Sequence, residues 1–240
     1  MLPILFELLK TMIPENLTTD LSVTAEIKLY YDLYVPEDSS ALSPLLIAVH
    51  GYGAHKRYMM REARSVAPAN FVIASVQGPH QHFRPIKDGG YRTGFGWLTD
   101  YHSEEWVETH HEFLLRVIDR LAADETIDAG RVYIYGFSQA CALNFRFAFT
   151  HPERLKGIIG VCGGIPGDLD TNTKYRSLDA HAMYLYGNDD EFYTNEKFHE
   201  YDRRLSAVLS NYRSHQYAAK HEITEEMRAD IRNFFSDVSK

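Results

Sequence analysis

The chain has 240 residues, 45% of them hydrophobic and 24% charged, proportions close to the globular average that exclude disorder, collagen and coiled coil. Its 25 lysines and arginines stand against 33 aspartates and glutamates, a formal net charge of −8. That leaves no positive surplus for binding nucleic acid or an anionic bilayer, and no apolar run reaches the ~18–20 residues of a membrane span. Two cysteines, Cys141 and Cys162, cannot build a disulfide framework; they fit small buried apolar positions in a reducing compartment, so a cytoplasmic location is expected.

Met1–Lys10 is apolar but lacks a basic leader, carries Glu7 and offers no A-x-A-like cleavage site, so it reads as a short helix or packing arm. Leu21–Ile27 and Leu29–Val35 alternate with period two and are expected to form an antiparallel opening pair. Pro44–Val49, Phe71–Val76, Arg131–Tyr135, Leu155–Val161 and Ala182–Tyr186 are short, nearly continuous apolar runs, the pattern of strands buried on both faces. Tyr212–Ala218 is a further strand-like stretch. Between them, helical patterns cover His55–Ser65, Glu104–Ala123, Gln139–Thr150, Thr194–Leu209 and Thr224–Val238. In the second of these, Val107, Leu114, Val117, Ile118 and Leu121 fall on one face. In the last, a capping Thr224 precedes Glu225 and Glu226, charges that suit the positive end of a helix dipole. Strands alternating with helices predict an α/β class, a mostly parallel sheet covered on both faces. No linker or repeat divides the chain, so a single domain over 1–240 is expected, with an arm and strand pair at 1–43 and a catalytic core at 44–236.

In such sheets ligands bind beyond the carboxyl ends of the strands. After the run Arg131–Tyr135 comes Gly136-Phe137-Ser138-Gln139-Ala140, close to G-x-S-x-G. At this nucleophile elbow a sharp strand-to-helix turn exposes a serine, and small residues two before and two after permit close packing. The following helix points its positive end at the site. A serine hydroxyl at its ordinary pKa needs a base, and the base needs a carboxylate to orient it. In this architecture the chain order is serine, then acid, then histidine. Of the histidines after Ser138, His151 precedes a proline at a helix end, His181 starts a strand at the wrong edge, and His199 is mid-helix. His215 lies within a strand stretch, whereas His221 sits in a carboxyl-edge loop and is preferred. The acid comes from the loop after Ala182–Tyr186, where Asp189, Asp190 and Glu191 all qualify by position. Two backbone amides must hold the oxyanion. Gln139, after the nucleophile, supplies one, and Tyr52 in His50-Gly51-Tyr52-Gly53 supplies the other, its flanking glycines letting the amide turn inward.

With these pieces placed, the sequence resembles the phospholipase/carboxylesterase family of α/β-hydrolases, the group that includes acyl-protein thioesterases, from about residue 44 to 235. His50-Gly51-Tyr52-Gly53 is similar to the family's H-G-x-G, and Gly136-Phe137-Ser138-Gln139 to its G-F-S-Q, with Ala140-Cys141 in place of two glycines. Pro79-His80 and Trp97 fall where the family tends to have a Pro-His pair and a tryptophan. Tyr186-Gly187-Asn188-Asp189-Asp190 is similar to H-G-x-x-D, with Tyr186 replacing the histidine, and the resemblance selects Asp190. His221-Glu222-Ile223 matches H-E-[IV] and selects His221.

The resemblance also implies a loop beside the site over the aromatic stretch Gly90–Tyr101, where Tyr91, Phe95, Trp97 and Tyr101, with Phe192 beside the acid loop, are expected to wall the substrate pocket, the competing reading being that these rings pack the loop onto the core; Tyr193 is a further candidate. No insertion is long enough for a large lid, so short- to medium-chain acyl esters or thioesters are the expected small-molecule substrates. H-E-x-x-H, a dinucleotide fingerprint and a P-loop are all missing from the sequence, so neither metal nor cofactor is expected. A serine peptidase with the same triad and a non-catalytic hydrolase-like binder are the competing readings, and the sequence leaves a homodimer open.

Overall fold

The structure, a computed structural model, describes residues 16–37 and 42–238. The expected arm at Met1–Lys10 lies outside them.

Seven strands form one sheet in the order β1-β3-β2-β6-β7-β8-β9: β1 Tyr31–Tyr34, β2 Leu45–Val49, β3 Val72–Val76, β6 Val132–Phe137, β7 Gly157–Val161, β8 His181–Gly187 and β9 Tyr212–Tyr217. All neighbours are parallel except β1, which runs antiparallel to β3 with Tyr31 opposite Val76. The antiparallel opening strand therefore has a different partner from the one its pattern suggested. Leu21–Ile27 forms no strand and is exposed, with Val23 93% accessible; the hydrogen-bonding edge of β1 is taken by β3. A separate hairpin joins β4 His80–Pro85 to β5 Tyr91–Gly96.

The alternation of side chains along each strand divides the core into two layers. Leu45, Ile47 and Val49 of β2 face Leu114, Val117 and Ile118 of α2 (Ser103–Ala123), Phe145 and Phe147 of α3 (Gln139–Thr150), and Phe198 and Leu205 of α4 (Asn195–Val208). Leu46 and Ala48 belong to the opposite layer, with Met59 and Ala63 of α1 (Lys56–Val66) and Met227, Ile231 and Phe234 of α5 (Glu225–Val238). Every residue of β2 is buried, which explains why it reads as a continuous apolar run. Helix starts follow local chemistry: Thr194 Oγ1 accepts from Lys197 N at 3.4 Å and Thr224 Oγ1 from Met227 N at 3.3 Å.

After β2 the chain steps through α1 to β3 on one side; after β6 it steps through α3 to β7 on the other. The carboxyl ends of β2 and β6 are thus the topological switch point, where a crevice opens.

Candidate active site

Ser138 follows β6 at that crevice. Its backbone is held at φ 56°, ψ −120°, a left-handed conformation that costs a non-glycine residue roughly 1–3 kcal/mol. Ser138 N donates to Val161 O, and Ser138 O accepts from Cys141 N, both at 2.9 Å. The turn leaves no room for larger neighbours. A Cβ on Gly136 would sit 2.4 Å from Asn144 Nδ2, and one on Gly163 would sit 2.2 Å from Ser138 O. Ala140, where the resemblance expects glycine, is fully buried and accommodated.

The loops after β8 and β9 are drawn together over the same crevice. Asn188 N donates to Tyr217 O and Asp189 N to Ala219 O, and Gly187 lies so close that a Cβ would meet Ala219 O at 2.2 Å. This places Asp190 Oδ2 2.7 Å from His221 Nδ1, and His221 Nε2 2.8 Å from Ser138 Oγ. A carboxylate only accepts, so Nδ1 carries the proton and Nε2 is left to accept from the serine hydroxyl. Asp190 is itself fixed, its Oδ1 accepting from Phe192 N at 2.8 Å and Tyr193 N at 3.0 Å, and its side chain is wholly buried. The other two acids of that loop do different work: Asp189 is exposed, and Glu191 accepts from His221 N at 2.9 Å. His215 lies on β9, its ring stacked on Tyr217 and its Nδ1 3.2 Å from Asp230. Phe137, Phe192 and Tyr193 surround the His221 ring with centroids 4.9, 4.7 and 6.2 Å away.

Tyr52 reaches the serine from the loop after β2, and Gln139 follows it in the chain. Gly51 is so near the elbow that a Cβ there would lie 3.0 Å from Ser138 Cβ. Among the described residues, neither backbone amide donates to another protein group, leaving both available to an oxyanion. Two side chains that the sequence reading gave no such job hold this geometry. His50, buried at the end of β2, donates from Nδ1 to Gly51 O at 2.8 Å, while its Nε2 accepts from Gly78 N at 3.0 Å and pairs with the Gln77 amide at 2.8 Å. Burial pushes its pKa down to about 4, which keeps the ring neutral and this bonding pattern intact. The Gln139 side chain accepts from Trp97 N and donates to Leu98 O, both at 3.0 Å, tying the elbow to the loop after β5.

Two cavities meet Ser138. The larger, about 970 Å³, is walled by Tyr52, Tyr58, Phe137, Phe192 and Tyr193 and contains the Ser138 and His221 side chains. The smaller, about 460 Å³, also reaches Ser138 and is lined by Leu98, Val107, Leu143, Ile165 and Tyr193 together with Asp100, Glu104 and Arg146. The aromatic walls are therefore not the set expected from the sequence: Phe192 lines the site, but Tyr91, Phe95, Trp97 and Tyr101 line neither cavity. Tyr91 points to solvent, 71% exposed, against Phe83 across the hairpin. Phe95 is engaged in the bridge between the hairpin and Ala54. Trp97, 1% exposed, packs beneath the loop that follows β2, its Nε1 donating to His50 O at 2.8 Å. A buried indole needs such a partner, and the carbonyl of His50 supplies it.

Comparison with known proteins agrees with this architecture. A family model described as phospholipase/carboxylesterase matches residues 32–239. The fold is shared with esterase PE8 (TM-score 0.72, 18% identity, 88% of this chain and 100% of that one) and the Bacillus cereus carboxylesterase (0.68, 16%, 88% and 94%). It is also shared with Zea mays acyl-protein thioesterase 2 (0.68, 14%, 88% and 99%). A curated protein of Nocardia uniformis subsp. tsuyamanensis, provisionally named esterase NocK, is 25% identical over 142 residues, which are 57% of this chain. The match spans 38% of that relative's own length.

Proposed function

The chain belongs to the phospholipase/carboxylesterase family, and we propose that it is a serine carboxylesterase hydrolysing short- to medium-chain acyl esters or thioesters through an acyl-enzyme. The observation that carries this reading is the hydrogen-bonded line from Asp190 through His221 to Ser138, at the mouth of two cavities.

His221 Nε2 takes the hydroxyl proton as Ser138 Oγ bonds to the acyl carbonyl carbon. The resulting oxyanion lies between the Tyr52 and Gln139 amides, where each donor typically contributes about 10²–10³ in rate. As the tetrahedral intermediate collapses, the C–O or C–S bond to the leaving group breaks and His221 passes its proton to the departing alcohol or thiol. Water, deprotonated by His221, then attacks the acyl-serine; the Oγ–C bond breaks, the proton returns to Ser138, and the acid leaves. Buried Asp190 keeps the proton on Nδ1 throughout and stabilises the imidazolium. The 460 Å³ cavity between Leu98, Val107, Leu143 and Ile165 suits an acyl chain of modest length.

The test is hydrolysis of 4-nitrophenyl esters of graded chain length. Wild type is expected to turn over the short and medium esters, and Ser138→Ala to lose about 10⁴-fold or more in kcat. Equal activity in the two proteins, or inertness of both, sinks the proposal. Esters should also react far faster than matched amides.

A further inference from the structure

A third cavity, of about 290 Å³, adjoins the 460 Å³ one: Glu104, Val107 and Arg146 line both. The two follow the same pair of helices. Along α3 the 460 Å³ cavity is lined by Ser138 at the N-cap, then by Ala142 and Arg146, and the third cavity takes up the stripe at Arg146 and Thr150. Residues four apart share a helix face, so the two cavities share one track along α3. Along α2 the succession runs in the same sense, from Ser103 to Val107 in the first cavity and from Glu104 through His111 to Leu115 in the next. A groove between α2 and α3 thus leads away from the nucleophile.

Arg146 stands where its two halves meet. Across the groove, Nη1 lies 3.6 Å from Glu104 Oε1 on α2. From the loop after β7, Asp168 engages both terminal nitrogens, Oδ2 accepting from Nη1 at 3.4 Å and Oδ1 lying 3.3 Å from Nη2. Asp168 is itself held, accepting from Asn172 Nδ2 at 2.8 Å and from the Tyr175 hydroxyl at 3.0 Å. The Glu104 side chain is 71% exposed and that of Arg146 only 19%. An exposed partner contributes little, so Asp168 does most of the holding. Leu98, Leu143 and Ile165 line only the cavity that contains Ser138, whereas Glu108, Glu112 and Lys174 line only the one beyond. An alkyl chain passing this point has to displace a paired guanidinium and strip water from charged groups.

Resting on the esterase reading with its acyl group in the 460 Å³ cavity, we propose that Arg146, pinned by Asp168, is a specificity-determining residue that ends the acyl site and sets the longest chain accepted. The eight residues from Ser138 to Arg146, at ~1.5 Å of rise each, place it ~12 Å along α3 from the nucleophile. With ~4 Å of contact distance at the guanidinium and ~1.25 Å of advance per tetrahedral carbon–carbon bond, an acyl group of about eight carbons fills the space. Removing the guanidinium joins the two cavities and lengthens the site.

The experiment measures kcat/KM on 4-nitrophenyl esters from butanoate to tetradecanoate for wild type, Arg146→Ala and Asp168→Asn. Each buried methylene adds about fourfold in binding, so wild type is expected to gain with chain length as far as about octanoate and to gain nothing beyond it. Arg146→Ala should raise the ratio of dodecanoate to octanoate at least about tenfold, mainly through KM, and Asp168→Asn, which unpins the arginine without emptying the groove, should raise it by a smaller factor. A merely structural loss would lower every ester alike and leave that ratio unmoved. Fluorophosphonate labelling of Ser138 verifies folding. An unchanged ratio in folded Arg146→Ala, or in Asp168→Asn should the alanine variant not fold, overturns the proposal. So does a wild type that prefers dodecanoate to octanoate, or a shift that follows the alcohol chain of butanoate esters instead of the acyl chain. Inertness of wild type toward every ester overturns the esterase reading itself.

Discussion

Acidification should unfold this protein through histidines rather than carboxylates. Three imidazoles are buried uncharged. Desolvation lowers His50 to about 4, His111 to about 3, and His110, both of whose ring nitrogens lack hydrogen-bond partners, well below the ordinary 6.5. Above pH 6.5 these residues are neutral whether the chain is folded or not, and their contribution to stability is constant. As the pH falls through 6.5 the unfolded chain takes up protons that the folded chain refuses, so stability drops until the folded pKa values are reached near 4 and below. Between pH 7 and pH 5 each such residue costs about 2 kcal/mol, so the three together remove on the order of 5 kcal/mol, with a slope approaching ~4 kcal/mol per pH unit. Against a typical total of about 5–15 kcal/mol, that is roughly a third or more of the stability lost by pH 5. Carboxylates held low by partners, such as Asp168 and Glu225, lose their contribution only at lower pH. Exposed His102, raised by its hydrogen bond to Asp20, acts in the opposite sense. The assay is guanidinium chloride unfolding followed by circular dichroism at closely spaced pH values. Fewer than about one proton taken up per molecule on unfolding between pH 6.5 and 5 would refute the reasoning. His110→Phe, which replaces two unpartnered nitrogens with carbon, should flatten the slope by about a third and raise stability at pH 7.

Three further outcomes follow from the site. Asp190→Asn keeps an oxygen for the Phe192 and Tyr193 amides but removes the charge that orients His221; kcat on 4-nitrophenyl esters should fall by about 10⁴-fold with little change in thermal stability, and a loss under tenfold would contradict the assigned role. Gly163→Ala forces a methyl group to within 2.2 Å of Ser138 O, so a melt should show a loss of roughly 1–3 kcal/mol together with reduced fluorophosphonate labelling; an unaltered melt would show that the elbow is not so tightly packed. Gln139→Ala keeps the backbone amide but cuts the ties to Trp97 N and Leu98 O. It should shift Trp97 fluorescence and lower kcat more than it raises KM.

Much of the architecture was legible because it is written in short-range pattern. Fully buried strands such as Leu45–Val49 read as apolar runs, the α2 face Val107–Leu121 repeats at helical period, and Thr194 and Thr224 mark helix starts within three residues. The elbow at Ser138 is local as well, since a strand, a sharp turn and a helix with small flanking residues occupy consecutive positions. The hairpin at 80–96 was missed because it stands apart from the main sheet, joined to the rest of the backbone ladder through Phe95 and Ala54, and carries aromatic side chains that look like pocket lining.

What the linear order left open was settled by long-range closure. Asp189, Asp190 and Glu191 are chemically interchangeable in a loop; only the approach of the β8 and β9 ends gives one the imidazole, one the His221 amide and one the solvent. Trp97 turned inward because a buried carbonyl at His50 was there to take its N–H. Glu104, Arg146 and Asp168 come together only after α2, α3 and the loop beyond β7 pack against one another. Periodicity and capping are encoded within a turn or two of chain, whereas the meeting of distant side chains depends on how the sheet orders its strands.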